Sequence, residues 1–395
     1  MNNMLSSSTL AIQTPYQRQD VWGALSMPVY HSVAFEFDDA ATMSDVFCGR
    51  VIAPDYSRVI NPTVTCLEDK VKVLTGAANV IALNSGMAAI SATLFALAGQ
   101  GKNIVCSRHL FGNTYQLIAD MLPRFGVEAH ICDLTQPAEV EQAVDEQTAC
   151  VFVEIITNPQ LEVADLRMLA EVCHRKGTCL VADTTMIPFT QFSAHALGVD
   201  IEVVSSTKYL SGGATSLGGL VIDYGTVAEF GKRVKTDMLY CLGAYMTPHA
   251  AYMQTLGLET LAVRYQRQAT SALTVAQRLH DEAEGVKVNY IGLADNPYHD
   301  LAVAQFGQTA GAMMTIELES QEACFRFING LKLIKRATNL FDNRSLAIHP
   351  ASTIFGPFTP ERRREMDVRD TVIRLSIGLE DPEDILADIR QAAGR

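Results

Sequence analysis

The chain has a single tryptophan and no Cys-x-x-Cys pair. It also has no stretch approaching the ~20 uncharged apolar residues that a membrane-spanning helix needs. Basic residues are in deficit: 31 Lys and Arg stand against 44 Asp and Glu, a formal net charge of −13. That balance argues against nucleic acid and against an anionic membrane surface as partners. The nine cysteines are scattered. Cys173 and Cys179 lie closest together, and no second pair completes a zinc site, so no metal is expected. They read as reduced, mostly buried thiols of a cytoplasmic protein. The N-terminal MNNMLSSSTLAIQTPYQRQD has neither a basic n-region nor a continuous apolar run, and so does not read as a signal peptide. Internal repeats and low-complexity tracts are absent.

What is present is an ordinary globular composition. With 395 residues, 48% hydrophobic and 19% charged, the chain has material for a large core and two domains. Residues 1–62 are rich in turn formers and poor in periodic stretches, and are expected to form an arm that packs on something else. Residues 63–250 alternate short apolar runs with amphipathic segments. ANVIALN (78–84), NIVCS (103–107), VEAHIC (127–132), CVFVEII (150–156), CLVADTT (179–185), IEVVSST (201–207) and GLVID (219–223) read as strands. SGMAAISATLFALAG (85–99) and VADLRMLAEVCHRKG (163–177) read as helices. This α/β alternation predicts a mostly parallel sheet covered on both faces, with ligands at the carboxyl ends of the strands. Residues 251–395 change texture, with one long helix over 256–283, strands at 312–320 and 372–380, and a C-terminal helix, which predicts a smaller α+β domain.

Four features fall at predicted strand ends or in the arm. Lys208 follows Ser205-Ser206-Thr207 and precedes a glycine-rich LSGGATSLGG, a setting that suits an amine forming a Schiff base. The glycine run lacks G-x-G-x-x-G spacing and precedes a strand, so a dinucleotide site is not expected. Asp183, on the preceding strand end, can pair with a pyridinium nitrogen and keep it protonated. Ser85-Gly86-Met87 joins a strand to a helix, and the helix N-terminus there is an anion site suited to a phosphate. Tyr56-Ser57-Arg58 in the arm offers a phenol and a guanidinium that can hold a phosphate. Each alone has an ordinary structural explanation: a solvated lysine, a turn-capping aspartate, an N-cap serine, a surface turn. His349 reads as structural, while His109, just before Leu110-Phe111, either touches the site or packs.

Together, in this order, these segments resemble the Cys/Met-metabolism family of pyridoxal-phosphate enzymes. The resemblance covers about residue 25 to the C-terminus. It implies an aminotransferase-like fold of type I, pyridoxal 5'-phosphate as cofactor, and a homotetramer built from tight dimers. Lys208 resembles the lysine that carries the cofactor, and Asp183 the partner of the pyridine nitrogen. Ser85, Gly86, Met87, Ser205 and Thr207 resemble the phosphate cup, with Thr185 a further cofactor contact. Tyr56 and Arg58 resemble the pair that reaches the phosphate of the neighbouring subunit. Asn158 resembles the asparagine near the cofactor's phenolic oxygen, and Arg374 the clamp on the substrate carboxylate. Two positions depart from the pattern. Leu110-Phe111-Gly112 stands where Leu-Tyr-Gly is usual, so Phe111 can stack on the ring but not donate a proton. Asp183-Thr184-Thr185 stands for Asp-Asn-Thr, with only local repacking expected.

Within the family, Asn339 opens the segment NLFDNRSLAIHPAST (339–353), which resembles O-acetylhomoserine sulfhydrylases more than the Ser-Leu-Gly-Gly of synthases and lyases. Phe111 points the same way. An acyl ester leaves as a carboxylate whose conjugate acid has a pKa of about 4 and needs little protonation, whereas a thiolate benefits from a general acid. The expected reaction is γ-replacement on an O-acylated homoserine by sulfide or a thiol. A γ-lyase acting on methionine or cystathionine is the alternative, followed by a cystathionine γ-synthase. Tyr56 or Tyr115 is a candidate for the missing phenol.

Overall fold

A computed structural model describes residues 5–14, 22–282 and 287–394. The parts of the expected arm at 1–4 and 15–21 lie outside the described residues, as does the final residue. The described arm is less irregular than its sequence suggests. It contains helices Ser7–Gln13 and Ala40–Phe47, the second capped by the Asp39 side chain, and the next helix, Pro62–Thr75, starts with proline in its first turn behind the Asn61 cap. Proline there lacks only an N–H that has no partner within the helix.

The strands of the larger sheet are β1 (Asn79–Leu83), β2 (Asn103–Ser107), β3 (Glu128–Cys132), β4 (Thr148–Glu154), β5 (Cys179–Asp183), β6 (Ile201–Val204) and β7 (Gly219–Asp223), ordered β1-β7-β6-β5-β4-β2-β3. From β3 to β6 every pairing is parallel, while β7 runs antiparallel to both β6 and β1. β1 therefore points the same way as β6, and the carboxyl ends of β1, β2, β4, β5 and β6 share one edge. The central strands are apolar on both faces, since helices cover both: β4 reads TACVFVE with only Ala149 not fully buried. Two separate clusters of buried side chains, one on each face, result.

The predicted helix over 85–99 is observed at Gly86–Leu97, capped by Ser85 accepting from the Ala88 N–H. That over 163–177 is observed at Leu166–Lys176, from the Asp165 cap to a left-handed Gly177. The long helix expected over 256–283 is two helices, Pro248–Glu259 and Leu261–Glu282, with the break at Thr260. Beyond it lie β8 (Lys287–Asn289), β9 (Met313–Glu317), β10 (Lys335–Arg336), β11 (Leu346–Ile348) and β12 (Val372–Ser376), forming a second sheet in the order β10-β11-β12-β9-β8. The helix Pro382–Ala392 closes the chain. Among the described residues, no helix is long and apolar enough to cross a membrane. The nine cysteines are all free, six of them buried.

Candidate active site

The shared strand edge and the second sheet enclose a cavity of about 650 Å³. Ser85, Gly86, Met87, Phe111, Asn158, Asp183, Thr185, Ser205, Thr207, Lys208, Asn339 and Arg374 all line it. The two that do not are Tyr56 and Arg58. Tyr56 is solvent-exposed, and the Arg58 guanidinium lies 5.5 Å from its ring while donating to the carbonyl of Tyr240.

At one end the loop after β1 meets the loop after β6. A Cβ on Gly86 would stand 2.6 Å from Ser205 Cβ and 2.8 Å from Ser205 Oγ, so only glycine lets the two loops close. The first N–H groups of helix Gly86–Leu97 have no intrahelical acceptor and open onto this point, beside the hydroxyls of Ser85 and Ser205. The loop after β6 is itself fixed. Ser205 N–H donates to Thr185 Oγ1 at 2.8 Å, and Thr207 Oγ1 exchanges bonds with Gly218 at 3.0 and 3.1 Å.

In the middle, Lys208 Nζ donates to Asn339 Oδ1 at 2.9 Å. Burial, then the neighbouring Arg374 charge, pull its pKa down to about 8, against Asp183, which raises it. At pH 7 an amine so placed is about one-tenth free base, a far larger share than a solvated lysine at about 10.4 offers. Asp183 caps its own turn by accepting from Thr185 N–H at 3.0 Å. Burial raises its pKa, opposed by Thr185 and by Lys208.

On the far wall Arg374, on β12, is 2% exposed. It donates to Asn158 Oδ1 at 3.1 Å and to the Thr338 and Asn339 carbonyls at 2.9 and 3.3 Å, while its Nε has no partner. Burial pushes its pKa down to about 9. A buried guanidinium with no carboxylate and one unused N–H fits an incoming carboxylate.

Sequence reasoning missed Glu154. It is the one charged residue in the apolar run CVFVEII, at the carboxyl end of β4, and that position was the available signal. It lines the cavity at 6% exposure. The run Ala214–Leu217 within the glycine-rich segment also lines the cavity and was not singled out. Thr184 does not line the cavity, and its Oγ1 donates to buried Glu202 at 2.8 Å. Tyr115 is no substitute phenol within this chain. It is buried outside the cavity, with the Arg362 guanidinium 4.9 Å from its ring and Phe358 edge-on. His109 bridges Glu162 and Asp367, each at 3.1 Å, and His349 holds Ser352 Oγ at 2.8 Å and the Asp370 carbonyl at 2.9 Å. Neither lines the cavity.

The family model described as Cys/Met metabolism PLP-dependent enzyme matches residues 8–393. A relative named L-methionine gamma-lyase, from Fusobacterium nucleatum subsp. nucleatum, is 36% identical over 377 residues, 94% of this chain and 94% of its own length. An O-succinylhomoserine sulfhydrylase from Pseudomonas aeruginosa is 34% identical over 382 residues, 96% of this chain and 93% of its own. A crystal structure from Campylobacter jejuni subsp. jejuni, bearing the provisional name O-acetylhomoserine (thiol)-lyase, superposes with a TM-score of 0.94 at 31% identity, over 99% of this chain and 100% of that one. That structure contains N'-pyridoxyl-lysine-5'-monophosphate.

Proposed function

This chain belongs to the Cys/Met-metabolism family of pyridoxal-phosphate-dependent enzymes, and from that premise we propose that it catalyses γ-replacement on an O-acylated homoserine, preferentially the acetyl ester, by sulfide or a thiol. The fold is that of type I pyridoxal-phosphate enzymes, and pyridoxal 5'-phosphate is the cofactor. The cavity fits it: an anion site at a helix N-terminus, a lysine midway, a carboxylate on the next strand end, and an orphaned guanidinium N–H opposite.

When bound, pyridoxal phosphate supplies the electron sink that acidifies protons near the substrate nitrogen and lets a γ-substituent leave. The chain's residues do the rest. The Gly86 and Met87 N–H groups, with the Ser85 and Ser205 hydroxyls, hold the phosphate. Asp183 retains the proton on the ring nitrogen. Arg374 receives the substrate α-carboxylate and orients Cα towards Lys208. The Lys208 amine takes the proton from Cα, would pass it to the bound cofactor, and as a free amine again takes one from Cβ, while Asn339 holds it between these positions. Phe111 covers the ring and excludes water.

The observation that carries the choice of leaving group is the cavity wall itself. Phe111 occupies the place of the usual phenol, and among the described lining residues there is no tyrosine. A carboxylate leaving group needs no acid there. The similarity to proteins named methionine gamma-lyase supports γ-elimination as the second reading. We further place Tyr56 and Arg58 in the cavity of a second copy, within a homotetramer of tight dimers. Val33, Phe47, Ile52, Leu217 and Leu242 are each more than half exposed, with Ile52 at 88%, and these apolar side chains support a covering partner. Nine free thiols support a reducing, cytoplasmic setting.

One assay panel tests the reading: O-acetylhomoserine, O-succinylhomoserine, cystathionine and methionine, each with and without sulfide. Sulfide-dependent homocysteine from an ester is expected. Keto acid and ammonia from methionine, without sulfide-dependent homocysteine from either ester, would reverse it.

A further inference from the structure

Glu154 and Asp183 end neighbouring parallel strands and are register partners across the β4–β5 ladder. Side chains so paired leave the same face of a sheet from backbones about 4.8 Å apart, and both line the cavity. The titratable groups on the surrounding elements are Asp183 at the end of β5, Lys208 after β6 and Arg374 on β12. Among the described residues none forms an ion pair with Glu154. Its partners are backbone N–H groups, those of Phe111 and Asn158, and Oε1 accepts the Phe111 N–H at 2.5 Å. Phe111 precedes the short helix Gly112–Gln116 and has no side-chain cap of its own. The ring of Phe111 faces the cavity, and its main chain is tied to Glu154.

Of two adjacent buried carboxyls, ionisation of one opposes ionisation of the other. Asp183 is the one whose charge the cofactor's ring nitrogen requires, and it has Thr185 and Lys208 to sustain it. Burial, then the Asp183 charge, push the Glu154 carboxyl well above the usual range, opposed by the Phe111 and Asn158 N–H groups.

We propose that Glu154 is a positioning residue that works as a neutral acid, fixing Phe111 against the cofactor ring and leaving Asp183 as the sole negative charge at that end of the cavity. A carboxylic acid accepts the Phe111 N–H without adding a second charge beside Asp183. The cofactor ring is thereby held from one side by an aromatic face and from its nitrogen by an undivided carboxylate. This role rests on the cofactor and not on the choice of γ-substituent, so it can fail while the substrate assignment stands, and the reverse.

The test compares holoenzymes of wild type, Glu154→Gln and Glu154→Ala by cofactor affinity, circular dichroism of the bound cofactor, and pH titration of its visible band. Gln is neutral and can accept the same N–H. It is expected to keep affinity within about twofold and leave the titration midpoint in place. Ala releases Phe111 and is expected to lower affinity about five- to tenfold, the order of one lost hydrogen bond, with at least half of the cofactor's dichroism lost. A midpoint displaced by about one pH unit or more in Glu154→Gln would mean that the wild-type group is charged, and would overturn the proposal. Unchanged affinity and dichroism in Glu154→Ala would overturn the positioning role. If Glu154→Ala does not fold, the Glu154→Gln titration still decides the charge.

Discussion

Phe111→Tyr restores a phenol at a point in the cavity wall where the chain has none, and its effect should depend on the leaving group. Tyr115, the other aromatic nearby in sequence, is committed to Arg362 and Phe358 outside the cavity. The new hydroxyl therefore adds a phenol that no other residue of the same chain supplies to the cavity, next to the Tyr56 that we place there from a second copy. A phenol has a pKa of about 10, while the conjugate acids of a thiolate and a carboxylate leaving group lie at about 8.5 and about 4. General acid catalysis by a placed side chain contributes about 10²–10⁴-fold. The Phe111 backbone is fixed by its 2.5 Å bond to Glu154, but no described group is poised to orient a hydroxyl at the ring edge, so the low end of that range applies. We expect kcat/KM for cystathionine or methionine elimination to rise about 100-fold, or about 2.7 kcal/mol at 1.36 kcal/mol per tenfold. With an O-acylhomoserine the change should stay below about threefold, since a carboxylate departs unaided. Initial rates of keto-acid release from the thioethers, set against sulfide-dependent homocysteine from the ester, give the ratio. A ratio that does not move would refute the argument, because proton supply at residue 111 would then not be what separates the leaving groups.

Phe341 is fully buried, stacks on Tyr209 with centroids 3.9 Å apart at 8°, and sits at φ 55°, in the left-handed region. Phe341→Ala should cost about 3–5 kcal/mol for the lost packing, whereas Phe341→Gly relieves about 1–2 kcal/mol of backbone strain, so glycine should be the more stable of the two. Denaturant midpoints that place alanine above glycine would contradict the strain. His109 lies between Glu162 and Asp367, and although burial opposes it, these two carboxylates raise its pKa. A raised folded value means that the stabilisation is complete below the unfolded pKa of about 6.5 and fades as pH climbs through the folded one. Thermal stability should therefore decline from about pH 6.5 upward, and His109→Gln should flatten that slope; an equal slope in the variant would remove His109 as its cause.

The strands and the cofactor residues were legible for one physical reason. Central parallel strands are apolar throughout, so a polar residue at their carboxyl ends stands out, as Asp183 does after CLVA and Lys208 does after IEVVSST. The same rule marks Glu154, which the surrounding CVFVEII disguised as one more strand residue until register placed it beside Asp183. Helix ends were legible where a cap was present, as at Asp165 and Gly177. They were not at Thr260, where neither glycine nor proline interrupts the amphipathic pattern. Two short helices in the arm escaped because helices of seven and eight residues give too few turns for a period to emerge. That Asn339 reaches Lys208, and that Phe341 needs positive φ, depend on a turn between two short strands that no local pattern specifies.

The charge of the whole chain is a poor guide to the charge inside the cavity. At −13 the surface repels anions, yet the site must hold a phosphate at one end and a carboxylate at the other. Four ionisable side chains decide the interior: Lys208, Arg374, Asp183 and Glu154. Burial drives each towards its neutral form, but unequally. Arg374 falls only to about 9 and stays cationic at neutral pH. Lys208, near 8, is mostly cationic at pH 7 with about one-tenth free amine. Burial, then Asp183, push the Glu154 carboxyl up, in line with the neutral form proposed for it, while Thr185 and Lys208 oppose the rise at Asp183 and favour that group as the anion. Before any ligand enters, the interior thus carries about one net positive charge at pH 7 inside an acidic protein. If both carboxylates were ionised, the interior would carry a further negative charge facing two anionic groups, and carboxylate binding at Arg374 would weaken. The neutral state of Glu154 therefore bears on substrate affinity as well as on the ring. Glu154→Asp, with a shorter side chain, lets the carboxyl draw back from Phe111 and ionise more readily, and it should raise KM for the ester more than it lowers kcat. An effect confined to kcat would show that the charge of this residue does not reach Arg374.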